Sequence, residues 1–369
     1  MPEDFMAAMR RSLEMTRGGD LSGATRAIQD ALGGGGSETA EVSDPPPDPP
    51  ARRTATRAPD VEDAEVVEEV PARRARAPLG ETLKTLRPGG RPSGGGAAPG
   101  LAPGARLERR RHACAHGTRT VRLHVPASVQ DGGAAGLLVM LHGCTQDPDD
   151  FARGTGMDGL AEAHRLVIAW PGQERSANAQ ACWNWFEPSQ NGLGGESALI
   201  ADLARDLGAE FDVPPGRTFV AGLSAGGAMA AATATAHPEV FAAAGVHSGL
   251  APGAARDMGS AFAAMRGDGA DGQAGPTLPV ILFHGDADRT VAPAAADWGL
   301  RDLDRVRTED RDGAILRAGH TTGGHPVEVW RIPGAGHAWS GGDPKGSYAV
   351  ASGPDASAEM VRFFLAAGR

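Results

Sequence analysis

Short apolar runs alternate with amphipathic stretches through the C-terminal two thirds of this chain. Short continuous apolar runs are typical of strands that are buried on both faces of a parallel sheet. Such runs predict strands at residues 119–125, 137–141, 166–170, 218–222, 243–246, 280–283 and 327–332. Intervening stretches with helical spacing predict helices at residues 149–163, 196–211, 225–236 and 355–367. The alternation predicts an α/β fold with a mostly parallel central sheet flanked by helices.

The first 103 residues have a different pattern. Apolar positions at helical spacing, interrupted at Gly18-Gly19-Asp20, predict a short helical hairpin over residues 1–33. Residues 34–103 are rich in Pro, Gly, Arg and Glu and predict a disordered linker, because they bury too little apolar surface to offset the entropy of ordering. We therefore expect one large folded domain over residues 104–369.

Composition narrows the classes of partner. The formal net charge of −10 and the sequence pI of about 5.6 argue against nucleic acid. No apolar run is long enough to predict a transmembrane segment. Residues 1–17 lack the apolar stretch and small-residue cleavage site of a conventional signal peptide, so the sequence leaves the localisation open. It also gives no indication of the oligomeric state.

A Gly-x-Ser-x-Gly pentapeptide, Gly222-Leu223-Ser224-Ala225-Gly226, lies between a predicted strand and a predicted helix. Strand, Gly-x-Ser-x-Gly and helix in this order are the sequence form of a nucleophile elbow, a tight turn that exposes the serine hydroxyl. Side chains at the two glycine positions would collide with the neighbouring strand and helix. Ser224 is therefore the predicted nucleophile.

A nucleophilic serine needs a base and a carboxylate that orients this base, and in this fold they follow in the order Ser, Asp or Glu, His. The next-to-last predicted strand ends in a loop that carries two candidates, Asp286 and Asp288. We favour Asp288, because Thr290 and Val291 would anchor the loop just after it, and expect Asp286 to brace the turn. The predicted base is His337, on a glycine-rich loop after the last strand.

Two backbone amides are the predicted donors to the oxyanion that forms when the serine attacks a carbonyl. One is the amide of Ala225, directly after the nucleophile, and the other is the amide of Cys144, in the loop after an early strand. His142 is expected to be a scaffold residue of that loop. No CxxC, HExxH or clustered His/Asp triplet occurs, so the sequence predicts neither a metal site nor a cofactor.

The chain has three cysteines, and two of them flank the predicted site. Cys144 and Cys182 are either two buried free thiols or a disulfide that pins the oxyanion loop to the segment 182–186. The odd count leaves both alternatives open.

Tryptophan is the other residue type that is concentrated near the predicted site. Trp183 and Trp185 lie on a Pro/Asn/Gly-rich loop, and Trp339 follows His337 closely. We predict that these rings line an apolar substrate cleft, with packing in the core as the alternative.

Several separate motifs together resemble the catalytic domain of polyhydroxybutyrate (PHB) depolymerase-type esterases. The motifs are Leu141-His142-Gly143-Cys144-Thr145-Gln146, Cys182-Trp183-Asn184-Trp185-Phe186, Gly222-Leu223-Ser224-Ala225-Gly226-Gly227 and Gly245-Val246-His247-Ser248-Gly249. The resemblance implies an α/β-hydrolase fold and cleavage of short-chain 3-hydroxyacyl esters or oligomers. It also implies a Ser224–Asp288–His337 triad, oxyanion amides from Cys144 and Ala225, a Cys144–Cys182 disulfide and an extracellular location.

Three other functions compete with this one. A feruloyl or acetyl-xylan esterase would use the same triad, and so would a serine peptidase of the same fold. A polymer- or granule-binding protein would use residues 1–103 as a tether and would need no triad. Because every role of the triad is filled in chain order, the sequence favours an enzyme over a binding protein. A peptidase is disfavoured because the sequence shows no propeller-sized extra domain.

Overall fold

The computed structural model describes residues 102–129, 133–269 and 274–368 of the chain. The predicted hairpin and nearly all of the predicted linker lie outside the described residues. None of the helices in these ranges combines the length and the apolar character that crossing a bilayer requires.

A single ten-stranded sheet organises the described residues. Its strands are β1 Arg106–Cys114, β2 Gly117–Val125, β3 Gly136–Leu141, β4 Leu166–Pro171, β5 Thr218–Leu223, β6 Ala243–His247, β7 Val280–Gly285, β8 Leu303–Arg311, β9 Ala314–Thr321 and β10 Pro326–Ile332. The α-helices are α1 Pro148–Thr155, α2 Met157–His164, α3 Gly195–Glu210, α4 Ala225–Ala236, α5 Met258–Met265 and α6 Ala356–Ala367.

The strand order is β1-β2-β4-β3-β5-β6-β7-β10-β9-β8. From β4 to β10 the neighbouring strands are parallel, whereas β1–β2 at one edge and β9–β8 at the other pair antiparallel. This is an α/β-hydrolase fold, and the prediction of a mostly parallel sheet is confirmed.

Helices cover both faces of the sheet. Successive side chains of a strand point to opposite faces, so Leu137 and Val139 of β3 lie in one core cluster and Leu138 and Met140 in the other. The first cluster includes buried residues of α3, α4 and α5, and the second includes those of α1, α2 and α6. Burial on both faces explains why the central strands are continuous apolar runs.

The structure contains elements that the apolar pattern did not predict. β1 and β8 are rich in charged residues and largely exposed, because each is an edge strand. The single helix predicted over residues 149–163 is wrong, since Gly156 adopts a left-handed conformation (φ 63°) and ends α1 before α2 begins.

Candidate active site

The loops that carry the predicted site residues emerge from one edge of the sheet. β3, β5, β7 and β10 all belong to its parallel part, so their carboxyl ends point the same way. Cys144 follows β3, Ser224 follows β5, Asp288 follows β7 and His337 follows β10. The topology therefore gathers all four loops at the carboxyl ends of the parallel strands, where open α/β sheets bind their ligands.

Ser224 lies on a strained turn between β5 and α4. Its backbone angles are φ 57° and ψ −120°, a region that residues with side chains rarely adopt. A Cβ at Gly222 would lie 2.4 Å from the carbonyl carbon of Gly226, and a Cβ at Gly226 would lie 2.1 Å from the oxygen of Leu141. These distances confirm that both glycines are required for the close approach of strand, turn and helix. Ser224 is partly exposed, although the residues on both sides of it are buried.

Asp288 and His337 form a hydrogen-bonded pair. His337 Nδ1 lies 2.7 Å from Asp288 Oδ2, and the Asp288 side chain is fully buried. The other carboxylate oxygen, Oδ1, accepts hydrogen bonds from the backbone N–H groups of Thr290 (2.8 Å) and Val291 (2.9 Å). Thr290 and Val291 thus anchor Asp288 as expected, and they do so through their backbone N–H groups.

The protonation state of this pair leaves His337 with a free basic nitrogen. Burial alone would raise the pKa of the Asp288 carboxyl, but hydrogen bonds from His284 and His337 outweigh burial and hold this pKa well below its ordinary value. An ionised carboxylate can only accept hydrogen bonds, so Nδ1 of His337 carries the proton. Nε2 is then the nitrogen that can accept a proton from a serine hydroxyl.

Asp286 braces the loops that hold this pair. Its Oδ1 accepts a hydrogen bond of 2.6 Å from the N–H of Gly334, and its own N–H donates to the oxygen of Ile332 (3.1 Å). A Cβ at Gly285 would lie 2.2 Å from the oxygen of Ala335, so the loops after β7 and β10 are in close contact. Of the two candidate carboxylates, Asp288 contacts the histidine and Asp286 joins the loops.

The loop after β3 lies beside Ser224. A Cβ at Gly143 would be 3.6 Å from the Ser224 Cβ. Within this loop the N–H of Gly143 donates to Gln146 Oε1 (2.9 Å) and the N–H of Thr145 donates to the oxygen of Gln180 (2.7 Å). The Cys144 amide between them has no hydrogen-bond acceptor among the residues that the structure describes. This leaves it available to a ligand.

The second predicted donor, the amide of Ala225, begins α4. The first N–H groups of a helix have no partner within the helix, and the positive end of the helix dipole favours a negative charge there. The N–H of Ala225 thus lies directly after Ser224 at a helix start, where it can donate to a negatively charged ligand.

His142 has the predicted scaffold role. Its ring is buried, and its Nε2 accepts a hydrogen bond of 3.0 Å from the N–H of Gln173. Burial lowers the pKa of His142, so the ring is neutral and can accept this bond. The contact fixes the start of the loop that presents the Cys144 amide.

A disulfide joins Cys144 to Cys182, which settles the choice between the two alternatives. Cys114 is the remaining cysteine and is a free thiol. The disulfide attaches the loop after β3 to the segment 182–186, so the backbone near Ser224 is held from two sides.

Comparison with known proteins identifies the family of this chain. Residues 123–324, more than half of the chain, match the family described as esterase PHB depolymerase. The chain belongs to the PHB depolymerase esterase family.

Curated relatives differ in the substrates for which they are named. Poly(3-hydroxyalkanoate) depolymerase C of Paucimonas lemoignei is 32% identical over an alignment of 241 residues that covers 58% of this chain and 57% of that protein. Feruloyl esterase B of Neurospora crassa is 27% identical over 191 residues, 46% of this chain and 64% of that protein. The chain thus spans less than two thirds of the length of these relatives.

A solved structure supports the fold. Acetyl xylan esterase from Aspergillus awamori superposes with a TM-score of 0.56 at 19% sequence identity, covering 70% of this chain and 99% of that one. At this identity the likeness concerns the α/β-hydrolase fold of the family.

The prediction that Trp183, Trp185 and Trp339 line an apolar substrate cleft is wrong, because all three side chains are buried in the core. Trp183 is 0% exposed and Trp339 is 1% exposed, and Trp185 keeps only 7% of its surface. Trp339 stacks on His247, and its indole N–H donates to Ser357 Oγ (3.0 Å). Packing in the core, the alternative given for these tryptophans, is what the structure shows.

Tyr348 lies beside His337, which the sequence did not reveal. It is the only tyrosine of the chain, it is 48% exposed, and its ring meets that of His337 edge-on at 6.4 Å between centroids. Its φ of 52° is unusual for a bulky residue, so the backbone is strained at this position. Only folding brings it near His337, so no local motif could have identified it.

A second unpredicted group is the buried histidine His247. Burial, together with the charges of His284 and His337, lowers its pKa to about 3. The neutral ring accepts a hydrogen bond at Nε2 from the N–H of Ser340 (3.1 Å), and the His247 oxygen accepts one from the N–H of Ser224 (2.9 Å). His247 therefore ties the nucleophile loop to the segment that follows His337.

The segment 182–186 is held by a buried carboxylate at the start of α3. Glu196 accepts hydrogen bonds from the Asn184 N–H (2.8 Å), the Asn184 side chain (2.8 Å) and Arg119 (3.2 Å). The side chains of Glu196 and Arg119 are 4% and 9% exposed, so both charges are desolvated and depend on each other. Removing one of them would leave the other buried and unpaired.

Glu196→Gln should lower the free energy of unfolding by about 3–5 kcal/mol, because it leaves the Arg119 charge buried without its partner. The measurement is equilibrium unfolding in urea. Glu239→Gln is the matched control: it removes an ion pair with Arg205 whose side chains are 59% and 49% exposed, and should cost about 1 kcal/mol or less. Equal losses in the two variants would show that the Glu196 contacts do not support the fold as described.

Proposed function

We propose that this protein is a serine ester hydrolase that cleaves short-chain polyhydroxyalkanoate (3-hydroxybutyrate) esters or oligomers through an acyl-enzyme intermediate. The observation that carries the proposal is the 2.7 Å bond between Asp288 and His337 at the sheet edge where Ser224 occupies its strained turn. The family supports ester chemistry, and the depolymerase from Paucimonas lemoignei supports the choice of ester.

In the acylation step His337 Nε2 takes the proton of the Ser224 hydroxyl while Oγ bonds to the ester carbonyl carbon. The N–H groups of Cys144 and Ala225 stabilise the negative charge that moves onto the carbonyl oxygen. When the carbon–oxygen bond of the ester breaks, His337 gives its proton to the leaving alcohol. The acyl group then remains on Ser224.

In the second step water hydrolyses the acyl-enzyme. His337 removes a proton from water, which attacks the acyl carbon, and the same amides hold the second oxyanion. The bond to Ser224 Oγ breaks, Oγ recovers the proton from His337, and the carboxylic acid leaves. Throughout, Asp288 holds the imidazole in the tautomer with the proton on Nδ1 and stabilises its positive charge.

The alternative is a feruloyl or acetyl-xylan esterase on the same triad, favoured by the relationship to feruloyl esterase B. The purified chain should be given a soluble 3-hydroxybutyrate trimer, methyl ferulate, acetylated xylan and amorphous PHB. We expect kcat/KM for the trimer to exceed the values for the ferulate and the acetylated sugar by at least ~10-fold. A higher kcat/KM for either of these would replace the proposed substrate with the alternative.

The proposed reaction should lose rate at acidic pH through one ionisation. The pKa of Asp288 lies well below its ordinary value, and burial lowers that of His247 to about 3 and that of His142 as well. These three groups therefore keep one charge state over the pH range in which a histidine base loses its proton and becomes active. The acid limb of log kcat/KM against pH should therefore have a slope of one. A slope of two would reveal a second essential group.

A further inference from the structure

At the edge of the sheet opposite β8, the strand β1 and the helix α3 face each other. Residues two apart on a strand share one face, as His112 and Cys114 do, and residues four apart on a helix share one face, as Asp202 and Asp206 do. Two strand residues and four helix residues both advance about 6 Å along their element. The two pairs can therefore lie against each other in register.

Measured contacts follow this register. His112 Nε2 lies 2.9 Å from Asp202 Oδ1, and His112 Nδ1 lies 3.6 Å from Asp206 Oδ2. One donor atom from each of His112, Cys114 and Asp202 lies within 4.8 Å of the others. A zinc ion is about 2.0–2.3 Å from its ligands and holds them tetrahedrally, so two of its ligands are about 3.3–3.8 Å apart. A small inward movement of these side chains would be enough to bind one ion.

Among the described residues, His112 is the basic side chain that pairs with Asp202 and Asp206. Within the described part of the chain, neither Asp202 nor Asp206 forms an ion pair with an arginine or lysine. The neighbouring Arg110 is paired with Glu210 and Glu108. His112 Nε2 is buried, and its contact with Asp202 lacks the geometry of a hydrogen bond. A buried ring nitrogen that faces a carboxylate without forming a hydrogen bond is better explained if both groups bind the same metal ion.

We propose that His112, Cys114 and Asp202 form a binding site for a divalent transition-metal ion, with Zn²⁺ as the ion that this donor set favours. Nitrogen, thiolate sulfur and carboxylate oxygen are zinc's usual protein ligands. Asp206 faces the other ring nitrogen of His112 and orients it, as a carboxylate beside a metal-binding histidine commonly does. With three protein ligands, the fourth position is left to water.

The bound ion would join an edge strand to the helix that packs on it. β1 lies four positions from β5 in the strand order, so the ion takes no part in the proposed ester chemistry. It stabilises the fold by binding the native state alone. The contiguous motifs that reveal zinc sites in sequences could not show this one, because Asp202 is distant from His112 and Cys114 along the chain.

The test uses the full chain, stripped of metal and kept without reductant. Because Cys144 and Cys182 form a disulfide, Cys114 is the only thiol that can reach a metal ion. Titration with Co²⁺, a spectroscopic substitute for Zn²⁺, should give a thiolate-to-cobalt charge-transfer band at one ion per chain. Calorimetry with Zn²⁺ should give the same stoichiometry, and saturating Zn²⁺ should slow the reaction of Cys114 with a thiol reagent.

Cys114→Ser should abolish the charge-transfer band and weaken Zn²⁺ binding by at least ~10-fold, and Asp202→Asn should weaken it similarly. Asp206→Asn should keep the band but lose affinity, since it only orients His112. His320→Ala, an exposed histidine on β9, is the control and should bind as the unaltered chain does. The proposal is overturned if the unaltered chain gives no thiolate band, or if Cys114→Ser binds Zn²⁺ within twofold of it.

Discussion

Ser224→Ala should lower kcat for a short p-nitrophenyl ester by roughly 10⁴- to 10⁶-fold while the protein stays folded. The substitution removes the oxygen that would form the acyl-enzyme, and the methyl group of alanine cannot replace it. Alanine fills less space than serine at a turn whose side chain is partly exposed, so the fold should tolerate it. The measurement is steady-state hydrolysis, with the urea midpoint as a check on folding.

Ser248→Ala is the matched control for this prediction. Ser248 also follows a parallel strand, β6, and also has a positive φ of 51°, but it is fully buried and cannot meet a substrate. Loss of its hydroxyl should change kcat by less than ~10-fold, since this hydroxyl is hydrogen-bonded to the neutral ring of His247. A fluorophosphonate probe should label the unaltered chain and Ser248→Ala but not Ser224→Ala. Turnover by Ser224→Ala near that of the unaltered chain would refute the proposed nucleophile.

The sequence predicted those parts of the fold in which local pattern and burial agree. The run 137–141 is apolar throughout because both faces of β3 are covered, so its pattern alone identifies a central strand. β1 and β8 lie at the two edges of the sheet, where charged residues are tolerated and protect against pairing with other chains. Their polar patterns resemble loops, and only the hydrogen bonds of the sheet define them as strands.

In the candidate site, too, some features could be predicted from the sequence and others could not. Gly222 and Gly226 could be identified from the sequence because the nucleophile turn requires glycine at fixed spacing. The positions of Trp339 and Tyr348 could not, since an aromatic ring near a catalytic motif can face either the core or the solvent. The tryptophan is buried against His247, and the exposed ring beside His337 is the tyrosine. The choice depends on how the loops after β10 pack against α6, which is a property of the whole fold.

Asp288→Asn should lower kcat by roughly 10⁴-fold with little change in KM. Oδ1 of Asp288 accepts hydrogen bonds from the amides of Thr290 and Val291, so the carbonyl oxygen of an asparagine must take this position. Its NH₂ group would then face His337 Nδ1 and require that nitrogen to accept a hydrogen bond. The ring proton would move to Nε2, and His337 could no longer act as the base.

Asp286→Asn tests whether this effect belongs to the pairing with His337. Asp286 lies two residues earlier in the same loop, and its Oδ1 accepts from the N–H of Gly334, a role that an asparagine oxygen can retain. We expect kcat to fall by less than ~10-fold, because the loops stay joined and His337 keeps its tautomer. Equal losses in the two variants would mean that the loop, and not the Asp288 carboxylate, sets the activity. A large loss in Asp286→Asn alone would move the orienting role to Asp286.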